Sequence, residues 1–250
     1  MPSASACSDR LAALRAEVRA LESLGAARGG EVLPFGIRAV DSRLAGNGLA
    51  TAALHEVAGD RPSLADDAAA TLFVAAIVAR RAGTILWALA RRDLFAPGLA
   101  LAGLAPDRIL YAECGSNEDV LAVMEEGLRY GGLAAVVGEV SRVAMASTRR
   151  LQLAAEESGT TGLMLKRRRR SDEDPLGAPS ASATRWRIAS APSADLPVAG
   201  IGRPRWNVIL ARQRGGEPHQ WIMEGPDEQG RLALSAEPFH RPDQTARAAA

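Results

Sequence analysis

The sequence predicts an α/β fold in which a largely parallel sheet is flanked by helices and extended by antiparallel strands at its C-terminal side. Three observations lead there. From Ala53 onward, short apolar runs alternate with segments of three- and four-residue apolar spacing, the signature of successive βαβ units. The runs Ala134–Val140 and Gly162–Lys166 are almost unbroken apolar stretches, as strands are when helices cover both faces of their sheet. Beyond Lys166 the pattern changes to alternation, the mark of half-covered strands.

Taken in order, Asp9–Leu24 places Leu11, Leu14, Val18, Leu21 and Leu24 on one apolar stripe bordered by Arg10, Arg15, Glu17, Arg19 and Glu22, and predicts an amphipathic helix. Gly25–Gly30 follows as a linker, so the helix can dock on its own domain or on a partner. Strands are expected at Ala53–Ala58, Thr84–Leu89, Arg108–Ala112, Ala134–Val140 and Gly162–Lys166. Helices are expected at Leu64–Arg81, Asn117–Tyr130 and Met145–Glu157. Thr184–Ala189, Arg205–Arg212, Gln220–Glu224 and Arg231–Leu234 then read as antiparallel strands on the same sheet. Arg167–Ser182 is a long polar loop, and loops of that length inside a compact domain are functional or disordered. The chain therefore divides into a helix and linker over 1–30, one α/β domain over 31–236 and a patternless, disordered tail over 237–250.

Composition excludes several classes. With 30 basic and 29 acidic residues the formal net charge is +1, so no global field draws the chain to nucleic acid or to an anionic membrane. Two cysteines, Cys7 and Cys114, have neither disulfide nor zinc spacing. The longest unbroken apolar run, Leu72–Ala79, is far short of the roughly 20 residues of a membrane span, and the N-terminus lacks signal-peptide features. A reducing cytoplasm is the expected compartment. His55, His219 and His240 stand apart from each other and from any triad-like setting, so no catalytic residue, metal site or cofactor site is read from the sequence.

The lead from Phe35 to Phe73 has the order of a phosphate-binding loop: a turn-rich stretch, an apolar strand, a loop and a helix. Such loops use glycines that aim backbone N–H groups at the phosphates, a lysine, and a hydroxyl on magnesium. The stretch Ala58–Asp67 keeps only Gly59 from that recipe, and the single lysine of the chain, Lys166, lies elsewhere. Pro62 removes an N–H donor, and Ser63 with Asp66 forms a capping pair that satisfies the helix end internally. Asp66 and Asp67 fall in the first helical turn, where each carboxylate would repel a phosphate by roughly 4 kcal/mol at about 4 Å and an effective dielectric of about 20. Ala90, Arg91 and Arg92 follow the second strand where a water-orienting carboxylate is expected, and Glu139 is left as a lone candidate magnesium ligand. The loop is a degenerate P-loop.

The segments Leu33–Ile37, Val40–Asp41, Leu44–Leu49 and Leu54–Gly59 resemble the lead of the RecA recombinase core. Together with the closing run Arg205–Gly216 and Trp221, they look more closely like the bacterial ImuA family over roughly Leu33–Glu224. The resemblance implies a RecA-like fold without the ATPase, acting as a non-catalytic accessory protein of the SOS response to DNA damage. The implied partners in mutagenic translesion synthesis are an ImuB-type homologue of Y-family polymerases and an error-prone replicative-type DNA polymerase, with RecA as a further suspected partner and self-association left open. A broader similarity to cell-division inhibitors of the SulA type rests on the same ancestry.

The residues themselves offer two candidate contact regions. Arg167, Arg168, Arg169 and Arg170 follow a central strand at the carboxyl edge of the sheet, where they are either a DNA-contacting loop or a solvated run partly cancelled by Asp172, Glu173 and Asp174. Trp186 and Trp206 lie among arginines that include Arg212 and Arg214, a mixture that suits an interface as well as a packed sheet. Trp206, Arg212 and Arg214, with Leu14, Val18 and Leu21 of the N-terminal stripe, are the candidate partner-binding residues.

Overall fold

A computed structural model describes residues 30–168, 173–193, 200 and 202–235, together with Ala13. The predicted N-terminal helix, including Leu14, Val18 and Leu21, and the tail over 237–250 lie outside the described residues, as do Arg169 and Arg170. The described chain opens with a two-stranded antiparallel ribbon, β1 (Val32–Leu33) and β2 (Leu49–Ala50), around the short helix α1 (Arg38–Asp41). The Asp41 carboxylate accepts hydrogen bonds from the backbone N–H groups of Phe35 at 2.6 Å and Ile37 at 3.1 Å, fixing the turn. At Gly48 a β-carbon would sit 3.0 Å from the Leu33 carbonyl oxygen, so the ribbon closes best on glycine.

The main body runs β3 (Leu54–Gly59), α2 (Leu64–Ala79), β4 (Ile85–Leu89), α3 (Ala96–Leu101), β5 (Ile109–Glu113), α4 (Asn117–Tyr130), β6 (Ala135–Val140), α5 (Met145–Ser158) and β7 (Thr161–Lys166). It ends with β8 (Thr184–Ala191), β9 (Arg205–Gln213), β10 (His219–Glu224) and β11 (Ala233–Leu234). These strands form a nine-stranded sheet in the order β11-β10-β9-β8-β3-β7-β6-β4-β5. The fold is α/β and RecA-like, with a mostly parallel centre and antiparallel strands towards the C-terminus.

The predicted strands and long helices are present with ends shifted by a few residues at most, because their ends carry local signals. Helix α4, for instance, starts where Ser116 accepts a hydrogen bond from the Asp119 N–H and stops at Gly131, whose φ of 70° is left-handed. The ribbon, α1 and α3 are absent from the sequence reading, since two-residue strands and helices of four and six residues hold fewer than two full periods of any pattern. One expectation needs correction. Thr184–Ala191 is parallel to β3 and antiparallel only to β9. Alternation reports that one face is half covered, and carries no information about strand direction.

Connections from β3 to β5 step one way across the sheet and those from β5 to β7 step back, so the helices divide between faces. Phe73, Val74 and Ile77 of α2 and Leu99 of α3 pack on Val57, Trp87, Leu165 and Trp186. Val120, Met124 and Leu128 of α4 and Leu151 of α5 pack on Leu54, Leu86, Val136 and Met164. The apolar run Leu72–Ala79 is the C-terminal half of α2, buried from Phe73 to Val78, and no helix among the described residues is long and apolar enough to cross a membrane. Trp186 lies between Phe35, Phe73 and Trp221 at centroid distances of 5.8, 5.6 and 6.3 Å, which fastens the opening turn to the C-terminal strands.

His55 joins the ribbon to the sheet. The Trp186 indole N–H donates to the Thr184 hydroxyl at 2.7 Å, and that hydroxyl donates to His55 Nδ1 at 2.7 Å. The Nε2–H is then left to donate to the Ala50 carbonyl at 2.8 Å, so the relay requires a neutral ring. Burial pushes the imidazole down to about 4, against a smaller upward pull from the Ala50 carbonyl. A folded-state value below the unfolded one means that the unfolded chain takes up the proton first. The contribution is present above about pH 6.5 and is lost as pH falls towards 4. Unfolding free energy measured by urea titration is expected to fall by about 2 kcal/mol between pH 7 and pH 5 from this group, and His55→Asn should remove most of that slope.

Candidate functional site

The crevice at the carboxyl ends of β3, β6 and β7 lies where helices leave the sheet on opposite faces, the position at which open α/β sheets bind ligands. Laid over the pattern G-x-x-x-x-G-K-[ST] from Gly59, the chain has Leu64, Ala65 and Asp66 at the second glycine, lysine and hydroxyl positions. The length of a phosphate loop is kept while its ligands are gone. A β-carbon on Gly59 would lie 2.8 Å from the Asp67 carboxylate, so this glycine allows the loop to fold down onto the start of α2.

Ser63 caps α2 as its sequence predicts, accepting from the Asp66 N–H at 3.2 Å. The Asp66 side chain turns the other way. It accepts from the backbone N–H of Arg61 at 3.0 Å, from Arg61 Nε at 2.9 Å, and from the Ser190 N–H and hydroxyl at 2.9 and 2.7 Å. Burial alone would raise this carboxyl, but the hydrogen bonds from Arg61 and Ser190 outweigh it and hold the group down at about 2. The repulsion expected from Asp66 is therefore largely neutralised by Arg61, and the obstacle to a phosphate there is a closed hydrogen-bond set. Burial raises the Asp67 carboxyl above its ordinary value, with Arg167 and Arg168 pulling it back.

Two arginines fill the rest of the crevice. Arg167 Nε donates to Glu139 Oε2 at 2.9 Å, its Nη1 to the Asp67 carbonyl at 3.2 Å, and its Nη2 to the Thr71 hydroxyl at 3.0 Å. The second Glu139 oxygen accepts from the Trp87 indole at 3.0 Å. Glu139, the candidate magnesium ligand of the sequence, is thereby committed to an arginine and a tryptophan. Arg168 donates to the Gly59 carbonyl at 3.1 Å, to the Asp60 carbonyl, and to the Glu173 carbonyl. Of the four-arginine run, the two described members turn inward.

Lys166 cannot replace the missing lysine. It pairs in register with Ala58, is buried at 3% exposure, and lies on the face that carries Glu56 and Arg185. Burial lowers its ammonium pKa, the Glu56 charge opposes that, and Arg185 adds to it. Arg185 Nε itself donates to Glu56 at 2.6 Å. Among the described residues no group of three or more His, Cys, Asp or Glu side chains could hold a metal ion. The residues present do not fit a nucleotide or its magnesium.

Arg212 and Arg214 hold the segment over 178–183 against the sheet, donating to the carbonyls of Ser180 at 3.1 Å and Ala181 at 3.0 Å. Arg214 also pairs with Glu156 at 3.2 Å. Trp206 is 2% exposed, its ring within the core and away from the surface. Sequence reasoning did not find Arg61, Thr71, Trp87 or Ser190, which serve this crevice from four separate elements. Only the oppositely charged pair Arg61 and Asp66, close to each other in the chain, offered a local signal.

The fold and crevice define a class: a RecA-like α/β protein whose phosphate loop has been rebuilt as an internal joint. The chain belongs to the ImuA family. It is 38% identical over 205 residues to Protein ImuA of Caulobacter vibrioides strain NA1000 / CB15N, an alignment that covers 78% of this chain and 84% of the relative. The Protein ImuA of strain ATCC 19089 / CIP 103742 / CB 15 aligns with the same identity and coverage. No protein-family model matches the chain.

Removing one member of a buried ion pair strands the other. Arg167→Ala is expected to lower unfolding free energy by about 3 kcal/mol in denaturant titrations, and Glu139→Gln in that background should recover part of the loss because no bare carboxylate remains. Millimolar Mg·ATP should leave the melting temperature of the wild-type chain unchanged, whereas a ligand at a hundred times its Kd would add about 2.7 kcal/mol.

Proposed function

We propose that this protein is a non-catalytic, RecA-like adaptor in damage-induced mutagenic translesion DNA synthesis, working in the cytoplasm. Its partners in this reading are an ImuB-type homologue of Y-family polymerases and an error-prone replicative-type polymerase, with RecA as a further docking partner. The observation that carries the reading is the crevice in which Arg167 ties up Glu139, the candidate metal ligand, while Arg168 binds the carbonyls of the loop that would hold phosphate. Membership of the ImuA family supplies the setting. A chain that keeps the scaffold and gives its ligand site to internal ion pairs has its surfaces left to work with, and surfaces dock.

Direct DNA contact through Arg167–Arg170 is the second reading. The inward hydrogen bonds of Arg167 and Arg168 weigh against it, leaving Arg169 and Arg170 to carry any such contact. Cell-division inhibition of the SulA type gains no support from the crevice.

Co-purification of the full chain with the ImuB-type protein and the polymerase tests the adaptor. Recovery of a stoichiometric complex, equal with and without ATP and without phosphate release, is the expected result. Failure to capture either partner, or measurable turnover, would overturn it. Replacing Arg169 and Arg170 with alanine should leave single-strand DNA binding and its salt slope unchanged; a loss of about 0.7 of a unit of slope for each phosphate contact removed would favour the DNA reading.

A further inference from the structure

At the opposite end of the sheet from the arginine-filled crevice, a cavity of about 400 Å³ opens where β3 and β8 begin. Its apolar walls are small: Val32, Leu44, Ala45, Ala50, Ala53 and Ala183. The polar side chains on one wall, Gln152, Glu156 and Arg214, already have partners. Gln152 accepts from the Leu54 N–H at 3.0 Å and donates to Glu156 at 2.7 Å, and Arg214 pairs with the same Glu156 oxygen at 3.2 Å. A polar guest would find these groups engaged, so the cavity suits hydrocarbon.

Gly30, Glu31 and Val32 also line the cavity, so the chain that precedes them departs from its rim. Only five residues, 25–29, separate that rim from Leu24, the last residue of the stripe Leu11, Leu14, Val18, Leu21 and Leu24. Five residues span at most about 18 Å when extended. Leu14, Val18 and Leu21 follow one another at four- and three-residue spacing and would cover about 10 Å along a helix. The Glu31 carboxylate at the rim pairs with Arg81 at 3.4 Å, yet its side chain stays 74% exposed and is opposite in charge to Arg15 and Arg19 beside the stripe.

We propose that the cavity is the docking site for the apolar stripe of Asp9–Leu24 of the same chain. The tether decides between this segment and an equivalent one from a second copy: a short linker holds its cargo at an effective concentration in the millimolar range, which a free copy does not reach in solution. The inference is independent of the translesion reading, because it concerns how the domain seals its own lower end.

The test uses the full chain with Cys7 and Cys114 replaced by serine, carrying Val18→Cys and Ala45→Cys. An intramolecular disulfide that forms at a yield independent of protein concentration is expected. Leu14→Arg together with Leu21→Arg should speed amide exchange over residues 44–53 at least ten-fold, and Ala45→Trp, which fills the cavity from inside, should do the same to residues 11–24. A cross-link found only between chains and rising with concentration would overturn the proposal in favour of a second copy. No cross-link with unchanged exchange would overturn it in favour of a separate partner.

Discussion

The guanidinium of Arg167 is the point at which the upper end of the sheet is held together. It reaches the end of β6 through Glu139 and the first turns of α2 through Asp67 and Thr71, while sitting itself at the end of β7. Glu139 in turn satisfies the buried indole of Trp87 on β4. A carboxylate at this depth is unfavourable alone, and the arginine beside it makes the arrangement tolerable. In a working phosphate loop the balancing charges arrive with a diffusible ligand. Here they are part of the chain, so the balance does not vary with any solute.

The same substitution explains why the rest of the loop could change. Arg168 caps the carbonyls of Gly59 and Asp60, and Asp66 closes onto Arg61 and Ser190, so the loop is held by bonds within the chain. Its length and its glycine remain because they serve the close approach of strand to helix. What the RecA-like scaffold retains is therefore what packing requires. What it has lost is what a phosphate required.

Much of the fold was legible in the sequence because its signals are local. The capping residues of α2 and α4 lie within three positions of the groups they satisfy, and the unbroken apolar runs of β6 and β7 state their burial directly. The candidate site was legible only as a loss. Its construction depends on contacts 28, 96, 109 and 124 residues apart, between groups whose local context says nothing of one another. A run of four arginines reads as a solvent-facing patch until the fold supplies inward acceptors for two of them. Trp206 stands beside arginines in the sequence, and only the fold shows its ring buried in the sheet at 2% exposure.

The position of β3 has a consequence for how the chain is made. It is the first strand of the main sheet in sequence, yet its only neighbours are β7 and β8, with Leu54 opposite Gly162 and His55 opposite Thr184. At synthesis rates of about 5–20 residues per second, β3 waits for several seconds on the ribosome before either edge can be paired. Its six residues are all buried in the finished protein. Contacts of such long range also slow folding once the chain is released. Between Gly59 and Thr161, about 100 residues of synthesis, the nascent chain thus carries the six residues of β3 with neither edge paired.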